Sequence, residues 1–202
     1  MAPKNGACLL TGSGRRWYTF PVPIDTRLTY QDLCELPYDG KRYEIIEGDL
    51  IVTAAPRILH QRAVTRLSRH LSTFVEDNDL GHVFVAPVDV VLSEFDVVEP
   101  DIIYISKQRA AILTEKNVQG APDLVVEVLS EWTAKIDRTA KLKLYAKYGV
   151  AEYWVLDTQP VSADIYRGGP NGLQLREHLG PEGVLTTPLL HGFSLPLQKL
   201  VE

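Results

Sequence analysis

Two acidic residues stand where an apolar stretch should not tolerate them. Asp101 opens the run Ile102-Ile103-Tyr104-Ile105, and Glu127 lies inside Leu124-Val125-Val126-Glu127-Val128-Leu129. An unpaired carboxylate in such a setting costs several kcal/mol, so something must neutralise each one. A divalent cation would do so, and two carboxylates completed by backbone carbonyls and water suit Mg²⁺ or Mn²⁺. A buried ion pair with a lysine or arginine would do so equally well, and these two residues alone leave both readings open.

The segment after Glu127 narrows the choice. With Asp137 set at zero and about 100° added per residue, Lys141, Leu144, Tyr145 and Tyr148 fall within about 80° of it, while Lys143 and Lys147 fall on the far side. Lys141 therefore shares a face with apolar and aromatic residues and is expected to point inward at a carboxylate, whereas Lys143 and Lys147 are expected in solvent. Asp101, Glu127 and Lys141 together suit phosphodiester hydrolysis. Carboxylates hold a metal that polarises the phosphate and acidifies a bound water, and a cation orients that water or stabilises the developing charge.

These groups must be positioned by strands and helices that the pattern predicts. Thr29, with Asp32 three residues on, caps a short helix through Leu36, and Pro37 follows the turn. RYEIIEGDLIVTAAP reads as a hairpin turning around Glu47-Gly48-Asp49. From Leu59 to Asp77, Val64, Leu67, Leu71, Phe74 and Val75 recur at helical spacing, and Arg62, Arg66 and Arg69 project within about 60° of one another on the opposite side. HVFVAP, DVVL, DIIYIS, AEYWVLD and SADIYR read as strands. PDLVVEVLS is a further strand whose continuous apolar run predicts a central position covered on both faces. Thr133 to Tyr148 reads as one helix stopped by Gly149. The sum is an α/β arrangement, one mixed sheet flanked by helices.

The chain is similar to the Uma-two family, a branch of the PD-(D/E)xK nuclease superfamily. The stretches that carry the likeness are TYQDLCELPYDGKRYEIIEGDLIV, HQRAV, APVDVVL, PDIIYIS, APDLVVEVLS, DRTAKLKLYAKYGVAEYW and VLD, in that order from about Thr29 to beyond Tyr166. The resemblance implies a restriction-endonuclease-like fold, a divalent metal, a nucleic-acid substrate with DNA expected, and a homodimer. Asp101 then corresponds to the metal-binding aspartate and Glu127 to the acid of the (D/E)xK strand. Leu129 occupies the lysine's strand position, but relatives in this branch carry the lysine on the next helix in DxxxKxxxY, and Lys141 takes that place. Glu44, the acid of the RYE step, corresponds to a further catalytic carboxylate, or else pairs with Arg42 or Lys41 on a sheet surface. His60 is a candidate phosphate contact, or else a cap or packing residue.

Composition agrees with a folded enzyme-sized unit. The 202 residues are 45% hydrophobic and 23% charged, which excludes disordered and fibrous classes. One domain is expected over 28–202 behind an irregular N-terminal arm over 1–27, where Gly6, Gly12, Gly14, Pro21 and Pro23 occur without periodicity. The net charge of −5 argues against indiscriminate polyanion binding, yet basic residues cluster: Arg57, Arg62, Arg66 and Arg69 occur with His60 and His70 and no acid between them. Cys8 and Cys34 allow one disulfide at most, and a reducing, cytoplasmic setting is expected. No signal-peptide core or membrane span is apparent, and no phosphate-loop or dinucleotide motif occurs. Trp132, Trp154 and the tyrosines read as core or sheet-face aromatics. Against the nuclease stand two rivals: an idle nuclease fold that binds nucleic acid or protein, and a buried ion network of Asp101, Glu127, Asp137 and Lys141 with a structural role.

Overall fold

The computed structural model describes residues 26–37 and 39–202, so the predicted N-terminal arm and Cys8 lie almost wholly outside the described residues. Thr29 caps α1 (Tyr30–Cys34). Its hydroxyl accepts from the Asp32 N–H while the Asp32 carboxylate accepts from the Thr29 N–H, the reciprocal cap that the spacing predicts. Strands β1 (Arg42–Ile46) and β2 (Asp49–Thr53) form the expected hairpin. Its two turn residues are Glu47 and Gly48, both at positive φ (55° and 88°), and Asp49 already belongs to β2. Two left-handed residues match the twist of the flanking strands, and Gly takes that conformation without a Cβ penalty.

Helix α2 (Ile58–Asp77) buries Ala63, Val64, Leu67, Leu71 and Val75, the stripe that the periodicity indicates. It is followed by β3 (Gly81–Val85), β4 (Val90–Ser93), β5 (Asp96–Val98), β6 (Ile102–Ser106), β7 (Val118–Gln119) and β8 (Leu124–Val128). The predicted helix from Thr133 to Tyr148 forms without a gap over 134–147, but it is not regular. It divides into α3 (Ala134–Ile136), a π-helical turn over Asp137–Lys141, and α4 (Leu142–Lys147). Strands β9 (Glu152–Thr158), β10 (Val161–Gly169), β11 (Gly172–Leu179), β12 (Val184–Leu185) and β13 (Leu195–Pro196) complete the chain.

The single mixed sheet expected from the pattern resolves into two larger sheets and a small pair. One sheet has the order β2-β1-β5-β4-β7, the other β11-β10-β9-β8-β6-β3, and β12 pairs with β13. Between β5 and β6 stands Glu99-Pro100-Asp101. Pro100 has no N–H to give to a ladder, so pairing stops there and the chain steps from the first sheet into the second. Strand β8 is central as predicted, parallel to β9 and antiparallel to β6.

The pleat of β8 then distributes its side chains. Leu124, Val126 and Val128 join the apolar cluster built on α2, and Val125 joins the cluster that contains Leu144 and Tyr145 of α4. Glu127 shares the Val125 face and is directed at the π-helical turn. Asp96 ties the two sides together. It accepts from the Glu47 N–H at 2.7 Å, from the Lys147 ammonium at 2.9 Å and from the Tyr148 hydroxyl at 2.6 Å, so Lys147 is held in an ion pair and not simply solvated.

Candidate active site

Strands β6 and β8 run antiparallel with Ile102 opposite Val126. Extending that register by one residue sets Asp101 opposite Glu127, so the two acids singled out by their apolar surroundings come from adjacent strands. Glu44 reaches the same place from β1, where the pleat turns Arg42 and Glu44 to one side. Lys141 arrives from the π-helical turn. Such turns recur at functional sites because they redirect side chains that a regular helix would aim elsewhere.

The Lys141 ammonium lies 2.9 Å from Glu44 Oε1, 2.8 Å from Glu127 Oε1 and 3.7 Å from Asp137 Oδ1. Its side chain is 3% exposed, and Lys143, two residues on, is in solvent. Glu127 Oε1 also accepts from the Tyr145 hydroxyl at 2.9 Å, and Glu44 Oε1 accepts from the Glu99 N–H at 2.8 Å. Asp101 belongs to an adjoining set. Its Oδ1 accepts from Arg42 at 3.0 Å, and its Oδ2 accepts from the Val128 N–H at 2.9 Å and from His60 Nε2 at 3.1 Å. Glu44 therefore pairs with Lys141, deep in the protein, and not with Arg42 or Lys41 on a surface. His60 lies inside α2, whose N-cap is Arg57, and its contact with Asp101 is not a capping contact.

Carboxyl groups outnumber cations here, and the acidities show it. Burial pushes Glu127 up to about 8, with Lys141 opposing and Asp137, Asp101 and Glu44 adding to the rise. Burial likewise raises Asp137 and brings Glu99 to about 7. Asp101 goes the other way. Burial works to raise it, but His60, Arg42 and the Val128 N–H together hold it below the usual aspartate range. Lys141 is kept firmly protonated, since its three carboxyl neighbours outweigh the burial that would discharge it. The Asp137 Oδ1 atom and His60 Nδ1 are buried and take part in no hydrogen bond among the described residues.

Above this cluster opens a cleft of about 810 Å³, lined by Arg42, Glu44, His60, Asp101, Glu127 and Lys141 at its floor. Ile58 and Trp132 line its mouth, and Arg57 donates to both oxygens of Glu131 at 2.7 Å. Trp132 is thus not a core or sheet-face aromatic, although Trp154 is fully buried. The turn that carries Trp132 follows the end of β8, and among the described residues its indole is left largely exposed. Arg62, Arg66 and Arg69 do not line the cleft. Arg62 and Arg69 are exposed, and Arg62 and Arg66 donate to the carbonyls of Val201 and Lys199 in the C-terminal segment.

Among the described residues, no group of three or more histidine, cysteine, aspartate or glutamate side chains already forms a metal cage. The donor set nevertheless suits a hard divalent cation. Asp101 and Glu127 line one cleft from adjacent strands, Glu44 and Asp137 meet the same lysine as Glu127, and one buried carboxylate oxygen lacks a hydrogen-bond donor. Sequence patterns do not single out Arg42, Glu99 and Tyr145 as members of the site. A signal exists for two of them: Arg42 lies two residues from Glu44 on a strand, and Tyr145 lies four residues from Lys141.

The mixed sheets flanked by helices have a restriction-endonuclease-like fold. A solved structure agrees. The chain matches a putative nuclease belonging to DUF820 from Anabaena variabilis with a TM-score of 0.73 and 19% identity, over 86% of this chain and 97% of that one. Residues 29–198 match the Uma2 family, described as putative restriction endonuclease, and the chain belongs to that family. No curated protein matches the sequence. The family points to a nuclease and implies a nucleic-acid substrate. No helix among the described residues is long and apolar enough to cross a membrane.

Proposed function

We propose that this protein is a divalent-metal-dependent endonuclease that hydrolyses phosphodiester bonds of DNA. The observation that carries the reading is the meeting of Glu44, Asp101, Glu127 and Lys141, from four separate elements, at the floor of one open cleft. Asp101 and Glu127 would hold Mg²⁺ or Mn²⁺. When bound, the ion would polarise the phosphate and lower the pKa of a coordinated water. Arg42, His60 and the Val128 N–H fix the orientation of Asp101. Lys141, held in place by Glu44, donates toward the attacking water and the phosphate oxygens, where negative charge grows. His60 lies beside Asp101 within reach of an entering phosphate, while Arg62, Arg66 and Arg69 add non-specific phosphate affinity outside the cleft.

Nicking of supercoiled plasmid in Mg²⁺ or Mn²⁺ tests this. Asp101→Asn and Glu127→Gln should each lower the rate by roughly 10²-fold or more, and should abolish the heat of Mn²⁺ binding in calorimetry. A second reading, an idle fold that binds nucleic acid without cutting it, draws support from the protein partners already engaged by Asp101 and Glu127. Wild-type protein that binds DNA but takes up no Mn²⁺ and nicks nothing would establish that second reading.

A further inference from the structure

Trp132 is 78% exposed and Ile58 is 80% exposed, the two most exposed large apolar side chains among the described residues, and both stand at the mouth of the same cleft. Neither placement follows from folding, which gains by removing such surface from water. Both are carried by backbone that is tied to the elements bearing the site. The turn bearing Trp132 is closed by Ser130 Oγ, which accepts from the Trp132 N–H at 3.3 Å and the Thr133 N–H at 3.2 Å, and it begins directly after the strand that carries Glu127. Ile58 opens α2 two residues before His60, which touches Asp101.

A second pocket of about 480 Å³ adjoins the cleft, shares Arg42, Thr53, Ala54, Ala55 and Pro56 with it, and is lined further by Lys41, Gln61, Asp89 and Glu99. The acid cluster thus lies in a cleft that has an aromatic and an aliphatic residue among its lining. The Arg57–Glu131 bridge narrows the entrance beside Trp132. An indole can stack only on a base with a free face, and in a continuous duplex each base has both faces covered by its neighbours.

We propose that Trp132, backed by Ile58, receives an unpaired base next to the phosphate held at the acid cluster, so that the site takes single-stranded DNA in preference to continuous duplex. This rests on the nuclease reading above. The apolar rim supplies the stacking surface; the cations nearby are already paired, Arg42 with Asp101 and Glu99 and Lys41 with Asp39, so charge compensation for the phosphate falls to the divalent ion of the nuclease reading. Trp132 is here a positioning residue that selects the substrate, and it takes no part in bond breaking.

Fluorescence anisotropy of a labelled single-stranded oligonucleotide, and of a blunt duplex of the same sequence, both with Ca²⁺ in place of Mg²⁺ or Mn²⁺ so that the carboxylates can still hold an oxygen-seeking divalent ion, tests the proposal. Wild type should bind the single strand more tightly. Trp132→Ala should weaken that binding by roughly 10-fold and leave duplex binding unchanged, while Trp132→Phe should stay within about 3-fold of wild type. Melting curves should coincide for all three proteins, since the side chain is in solvent. Equal affinity of Trp132→Ala and wild type for the single strand would overturn the proposal while leaving the nuclease reading intact, and so would equal losses on both nucleic acids. Wild type that binds neither polynucleotide would overturn the proposal, and the nuclease reading is decided separately by nicking in Mg²⁺ or Mn²⁺.

Discussion

Lys141→Met isolates the charge at the centre of the site, because methionine keeps most of the stem's volume and removes the ammonium. In the folded protein that ammonium touches Glu44, Glu127 and Asp137 at 2.9, 2.8 and 3.7 Å, with 3% of the side chain exposed. Three buried carboxyl groups lose their common partner at once. Breaking a buried pair from one side costs about 3–5 kcal/mol, which for a chain of this size lowers the melting temperature by roughly 6–20 °C. The penalty depends on pH with a defined sign. Glu127 already sits at about 8 and Asp137 is raised, and without Lys141 both rise further. Glu127 therefore takes up its proton at a higher pH in the folded variant than in folded wild type, so its share of the deficit is full in strong alkali, shrinks as the pH falls toward about 8 and is gone below it, where Glu127 is protonated in both. Adding Glu127→Gln to Lys141→Met should restore part of the loss, whereas Lys143→Met, in solvent, should change stability by less than about 0.5 kcal/mol. Thermal melts across pH and plasmid nicking at the best common condition read both effects. A Lys141→Met protein that melts within a degree or two of wild type at neutral pH would refute the buried three-way contact. A variant that nicks plasmid as fast as wild type would refute the catalytic role of Lys141.

Asp96 offers a separate check on the fold. Burial works to raise its carboxyl, but the Tyr148 hydroxyl, the Glu47 N–H and Lys147 together hold it below 3.8, so the stability it contributes is present above that value and is lost as the pH falls through and below it. Asp96→Asn should therefore cost about 1.5–3 kcal/mol at neutral pH and far less in strong acid, and a pH-independent loss by denaturant titration would contradict the assignment. Replacing Arg62, Arg66 and Arg69 together should reduce the salt slope of single-strand binding by up to about 2, and an unchanged slope would leave the first two as anchors for the C-terminal carbonyls only.

Much of the site is legible in the sequence because local patterns expose misplaced charge. A carboxylate in an apolar strand cannot be indifferent to its surroundings, which is why Asp101 and Glu127 stand out, and helical periodicity separates Lys141 from Lys143 without knowledge of what Lys141 meets. The central position of β8 follows from its unbroken apolar run for the same reason. Other features depend on what happens between segments far apart in sequence. Which cation answers which acid, Arg42 to Asp101 and Lys141 to Glu44, depends on how β1, β6, β8 and the π-helical turn converge, and neutralising partners look alike in a sequence. The π-helical turn itself carries no local signature, since the same residues would extend an ordinary helix if Asp137 and Lys141 were not drawn to the sheet. The division into two sheets at Pro100, the exposure of Trp132 and the cover given to Arg62 and Arg66 by the C-terminal segment are likewise tertiary outcomes. Periodicity reports which face of an element is apolar, but burial and pairing are set by the neighbours that reach that face.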